Sequence, residues 1–156
     1  MARETTGLSG HVTMVLRDSY GYLKEERDGP NTVQDGGIAE IVKLAAGEAA
    51  DAFTDIAIGS STVAAAVGQT SLEEEITSAG GERDVSTVTS ETTNTTDDTL
   101  QLISGWNFSD DMTVTESGVF NQTAAGDMLC RQTFTALPVD DGDSLTITWK
   151  VTLDQA

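Results

Sequence analysis

Ser144-Leu145-Thr146-Ile147-Thr148-Trp149-Lys150-Val151-Thr152-Leu153 is the stretch that decides the fold. Leu145, Ile147, Trp149, Val151 and Leu153 fall on one face; Ser144, Thr146, Thr148, Lys150 and Thr152 fall on the other. Strict alternation of this kind marks a strand with one buried and one wet face. Upstream, Met112–Phe120 and Met128–Leu137 read as two further strands, separated by Asn121–Asp127. The Pro138–Asp143 turn holds Gly142 among aspartates. Before these, Leu100, Leu102, Ser104, Trp106 and Phe108 share a face opposed by Thr99, Gln101, Ile103 and Asn107. That pattern predicts a long strand beside the last one, with Trp106 matching Trp149.

The first half is read the same way. His11–Arg17 is a strand with Val12, Met14 and Leu16 on one face, closed by the turn Asp18-Ser19-Tyr20-Gly21. Tyr22–Arg27 continues as a polar strand that Asp28-Gly29-Pro30-Asn31 breaks. Then the period changes. Ile38, Ile41, Val42 and Ala45 have helical spacing, widened by Leu44, with Glu40 and Lys43 pointing away. With Asp35 as N-cap and Gly47 as stop, a helix is expected over Gly37–Ala46, its stripe closing one side or end of the β-core. Phe53–Gly59 is a strand with Ile56 and Ile58 inward, and Ser60–Gly68 is a loop. Thr70–Ile76 is expected to form a helical turn capped by Thr70 or Ser71, with Glu73, Glu74 and Glu75 near its positive end. Arg83–Thr92 is a Thr/Ser/Val strand. The expectation is a mainly β fold: an antiparallel β-sandwich, jelly-roll-like, with one short amphipathic helix. Residues 1–9 would be a flexible arm and residues 10–156 a single domain.

Charge narrows the partners. Asp and Glu number 26 against 8 Lys and Arg, a net charge of −18 in 156 residues. Such a surface repels nucleic acid and anionic membrane, since phosphates need cations to replace their counterions. It also repels itself unless salt screens it, which points to a halophilic origin. Cys130 is the one cysteine, so no internal disulfide exists, and its place on the face of Met128 and Phe134 suggests a buried thiol. The first residues hold no apolar signal region, and no apolar run is long enough to span a bilayer. The protein is expected to be made in the cytoplasm and to remain there until it joins a larger assembly.

No catalytic, cofactor-binding or metal-binding residue is assigned. Walker A, GxGxxG, CxxC and paired-histidine patterns are absent from the sequence, and His11 is the single histidine. Glu73, Glu74 and Glu75 read as a solvated face rather than ligands for a divalent ion. Asp140-Asp141-Gly142-Asp143 lacks the ligand spacing of a calcium loop and reads as a hairpin turn. Asn94, Asn107 and Asn121 each begin an N-x-Ser/Thr pattern, which a Thr-rich chain produces by coincidence; Asn94 and Asn121 fall in turns that would accept a sugar if the protein met the machinery. Glu116 shares phase with Met112, Val114 and Phe120. A carboxylate on an inward face needs a hydrogen-bonded role, and Gly118 would mark a bulge that provides one.

The order Gly37–Leu44, Phe53–Gly59, Leu72–Ile76, Thr113–Asn121, Met128–Phe134 and Asp143–Val151 resembles small structural proteins of tailed viruses, often described as tail-fibre-like. The resemblance covers nearly the whole chain after residue 10 and offers no catalytic residues. It implies a virion structural protein, most simply a capsid decoration or turret subunit, with a tail or baseplate fibre module as the alternative. Its partners would be itself, as a trimer or pentamer, and the major capsid protein or other virion proteins, with no nucleic acid and no membrane. The acidity sets this chain apart from bacteriophage relatives and points to a virus of halophilic archaea. A carbohydrate-binding sandwich is a competing reading and would require an exposed aromatic platform.

Overall fold

The computed structural model of the chain describes residues 6–155. Ten strands form two antiparallel five-stranded sheets: β1 (Thr6–Arg17), β2 (Leu23–Pro30), β3 (Thr32–Val33), β4 (Asp55–Gly59), β5 (Asp84–Val85), β6 (Thr87–Glu91), β7 (Thr99–Asn107), β8 (Met112–Phe120), β9 (Met128–Val139) and β10 (Ser144–Gln155). One helix, α1 (Asp35–Ala46), follows β3. One sheet has the order β2-β1-β10-β7-β6 and the other β3-β9-β8-β4-β5. About half of the chain is strand, and the architecture is the expected β-sandwich.

At both lateral margins the chain passes from one sheet to the other. β2 and β3 are one extended run interrupted at Asn31, and β5 and β6 are another interrupted at Ser86. Counted as single strands, these leave eight. The first pairs with the eighth, the second with the seventh, the third with the sixth and the fourth with the fifth. That nesting is what a jelly-roll-like reading requires. The neighbour pairings β8–β9 and β7–β10 then join the nested pairs into two sheets.

The decisive C-terminal strand lies at the centre of its sheet. Leu145, Ile147, Trp149 and Val151 are buried as the alternation demands, and Leu102 of β7 sits opposite Trp149. Trp149 is fully enclosed and donates its indole N–H to Ser117 Oγ at 3.2 Å. Trp106 donates to the Glu82 carbonyl at 2.7 Å. A buried indole keeps a hydrogen-bond partner in this way while its ring fills the core.

Several expectations are corrected. Residues 6–9, expected within a loose arm, pair with β10 from Thr6↔Gln155 onward; residues 1–5 lie outside the described residues. Leu153 shares the buried face of β10 yet is half exposed, because the strand outruns the facing sheet. β2 continues through Pro30, where a missing N–H is tolerated on a sheet margin. The helix begins two residues early, at Asp35, with Gln34 in the cap position and no side-chain cap bond; Gly47, at φ 69°, ends it as expected.

The face α1 buries is also different. Gly37 and Glu40 are buried and Ile41 half-buried, while Ile38 and Val42 are exposed. Close approach explains the rotation. A Cβ on Gly37 would lie 2.6 Å from Leu129 Cα, so only the glycine face can seat against β9. Glu40 is tolerated there through its pairing with Lys43.

Two bulges reset the phase of sheet β3-β9-β8-β4-β5. One lies between Val114 and Glu116 and the other opposite Val119/Phe120. A bulge moves every later side chain to the other face. Val114 therefore enters the main core, while Glu116 points to the outer side. Cys130 joins the main core with Phe134 packed against it, and Met128 joins a separate small cluster with Ala57, Leu72 and Phe120.

Candidate interaction surfaces

The outer face of sheet β3-β9-β8-β4-β5 is covered by the segment from Ser60 to Glu82, which has no regular structure. Leu72 is buried against Ala57, Phe120 and Met128 beneath it. What fixes the cover is an ion pair. Arg131 Nε and Nη2 both donate to Glu116 Oε2, at 2.9 and 2.7 Å, and neither side chain is exposed. Glu116 accepts further bonds from the backbone N–H groups of Ser61, Glu73 and Glu74. Arg131 also donates to Gln69 Oε1 and the Val63 carbonyl. A buried ion pair is tolerated when its remaining hydrogen-bond capacity is filled in this way. The same bonds explain why Thr70–Ile76 is not a helical turn: the Glu73 and Glu74 N–H groups serve the Glu116 carboxylate, and Glu75 bridges to Gly59. Here the role expected of Glu116 is met, but through the bulge at Thr115 rather than at Gly118.

A shallow groove of about 680 Å³ opens where β1 and β10 outrun the facing sheet. Leu8 and Leu153, directly opposite in register, face Pro30 and Val33 from the β2–β3 run, Ile38 from α1 and Val67 from the cover. None of its eleven lining residues is charged, in a chain that is 22% charged. Val42, one turn beyond Ile38, is 61% exposed and extends the apolar surface along the helix.

At the opposite end of the sandwich lies the β1–β2 turn. Asp18 organises it by accepting the Tyr20 and Tyr22 backbone N–H groups, and Gly21 closes it at φ 87°. Tyr20 is 86% exposed and Tyr22 73% exposed. The β9–β10 turn stands beside it: Lys24, next to the tyrosines, bridges Asp140 and Asp143. Asp141 N–H reaches Asp111, which adds the β7–β8 turn to this acidic end.

The remaining residues of interest disperse. His11 is half exposed, 3.4 Å from Asp28. Glu73, Glu74 and Glu75 accept bonds from Gln69, Ser60 and Arg83 respectively. Asp140–Asp143 is a hairpin turn with Gly142 at φ 87°. Asn94 is exposed in a turn gathered by Asp98, whose carboxyl is held below the usual range by the backbone N–H groups of Thr95, Thr93 and Asn94. Asn107 is exposed at the end of β7. Asn121 is buried and bonded to Asp127, so the structure removes it as a sugar acceptor. Burial pushes the Cys130 thiol far above its ordinary range. Among the described residues, no group of three His, Cys, Asp or Glu side chains is arranged to hold a metal ion, and no helix is long and apolar enough to cross a membrane. Sequence reasoning missed the groove and Arg131. The signal for the groove was present: the buried-face pattern of β10 runs two residues past Val151 to Leu153, and Leu8 extends that of Val12. No family model, curated protein or solved structure matches the chain.

Proposed function

We propose that the protein is a virion structural subunit, a capsid decoration or turret protein of a tailed virus with a halophilic host, working by assembly on the particle surface. The observation that carries this reading is the uncharged apolar groove at one end of an otherwise acidic sandwich. Exposed apolar surface rimmed by polar residues marks a contact site. The occupant fitted to it is an apolar, uncharged segment of the lattice protein, since an acidic one would meet the chain's own field. Docking by that end leaves the acidic turns projecting into brine. Immunogold labelling of particles from halophilic cultures that carry this sequence tests the reading. Gold on heads supports it, and loss of retention in a Leu153→Glu variant ties the contact to the groove. Gold on tails moves the chain to the fibre reading, and its absence from particles sinks both.

One observation favours a host-contacting or glycan-binding role. Tyr20 and Tyr22 form an exposed aromatic pair at the projecting end, whereas Trp106 and Trp149 are enclosed. On this reading, glycans quench tyrosine fluorescence in the wild type and not in Tyr20→Ala/Tyr22→Ala. Equal signals from both proteins would remove it.

A further inference from the structure

We propose that β6 pairs edge to edge with β6 of a second copy, joining two sandwiches through one continuous sheet. This contact is separate from the groove and does not depend on the particle reading. The sandwich has four lateral margins, β2, β6, β3 and β5. β3 and β5 are two-residue strands. β2 carries five consecutive charged residues, Lys24-Glu25-Glu26-Arg27-Asp28, the pattern that blocks edge pairing. β6 reads Thr-Val-Thr-Ser-Glu, with strong strand formers and one charge at its end.

The β6 margin is also open. Apart from its ladder with β7, no backbone hydrogen bond among the described residues uses an N–H or C=O of Thr87–Glu91. Val88 lies opposite buried Leu102 and so faces inward, yet it is 39% exposed; Val85, just before the sheet switch, is 60% exposed. The facing sheet does not reach over this flank, and a second copy would cover it.

Charge selects the occupant. A two-fold axis at Thr89 sets Thr89 against its counterpart, Val88 against Ser90 and Thr87 against Glu91 in an antiparallel pair. The two Glu91 side chains then stand about 13 Å apart at about 3.3 Å per residue. That exceeds the screening length of about 8 Å at physiological salt. No acid faces an acid along the pair, which few surfaces of a chain at −18 can offer. An isologous contact of this kind closes at two subunits, in place of the trimer or pentamer that the virus resemblance implies.

Light scattering in molar KCl, across a concentration series, tests the pairing. The expected mass is twice 16.4 kDa. Thr89 is exposed, so Thr89→Lys leaves the fold intact while setting two lysines face to face; it should weaken the dimer severalfold. Thr89→Cys gives the positive control. Directly opposed residues in such a pair have Cα atoms about 4.5–5.5 Å apart, within disulfide reach. Oxidation should yield a covalent dimer, with Cys130 buried and silent. A wild-type monomer at all concentrations, a trimer or pentamer, or a dimer that Thr89→Lys leaves unchanged and Thr89→Cys fails to trap would each overturn the proposal.

Discussion

Glu116 and Arg131 together do what neither does alone: they bind an irregular 23-residue segment, Ser60 to Glu82, to a sheet face. Removing two ions from water costs several kcal/mol each, and the mutual attraction offsets this only with every other bond in place. Glu116 has three backbone donors and Arg131 two further acceptors, so both carboxylate oxygens and four of the five guanidinium N–H groups are engaged. Removing one partner leaves an uncompensated buried charge. Arg131→Met is therefore expected to lower unfolding free energy by about 3–5 kcal/mol in urea, and to open Ser60–Glu82 to protease at lower urea than the rest of the chain. A loss under about 1 kcal/mol with unchanged proteolysis would mean that the pair does not hold the cover. Half of this was legible in sequence. A lone acid in an apolar phase demands a partner, and that marked Glu116. Nothing local marked Arg131, because the pairing depends on the β8–β9 register and a bulge that alternation alone cannot reveal.

At the scale of elements, strands with one buried face were the readable part. β8 has the bounds its alternation gave, and β10 and β9 differ from theirs only at the C-terminal end. The helix was readable in existence and in its Gly47 stop, but not in its orientation. Hydrophobic spacing selected Ile38, Ile41, Val42 and Ala45, whereas backbone approach at Gly37 selected the face Gly37, Glu40 and Ile41. Spacing measures which side chains prefer burial; it is silent on how close a neighbouring strand comes. Elements are also tied by charge. Lys24, at the start of β2, bonds Asp140 and Asp143 of the β9–β10 turn, and the hydrogen bond to Asp140 does most to raise its pKa above the ordinary 10.5. Lys43 is raised in the same direction, first by Glu40. A lysine raised on folding holds its proton more tightly in the native state, so its contribution is complete below pH 10.5 and fades as pH climbs through the raised value. The melting temperature should thus fall more steeply above pH 10.5 in the wild type than in Lys24→Met, with Lys43 supplying the slope that remains. Identical slopes would show that the tie carries no stability.

For the whole molecule, cations are scarce, and five of the eight are tied up in ion pairs. Lys24, Arg27, Lys43, Arg83 and Arg131 each pair with a carboxylate within the chain. Arg83 also stacks over the Phe120 ring at 3.7 Å. The surplus acids are left to repel one another across the surface, among them Asp110, Asp111 and Asp141 on two adjoining turns. Their repulsion opposes compaction and relaxes on unfolding, so dilute salt should destabilise the fold. The screening length falls from about 10 Å at 0.1 M to about 3 Å at 1 M. Screening should therefore raise the melting temperature mainly below 1 M KCl, and any further rise above that reflects stronger effective burial of apolar groups. A parallel series in sucrose separates the two causes, since an uncharged osmolyte strengthens burial without screening charge. A steep rise to 1 M in KCl that sucrose does not reproduce supports adaptation to brine. A flat KCl series, or one that sucrose matches throughout, means that the −18 is tolerated without salt, and the halophilic host falls with it.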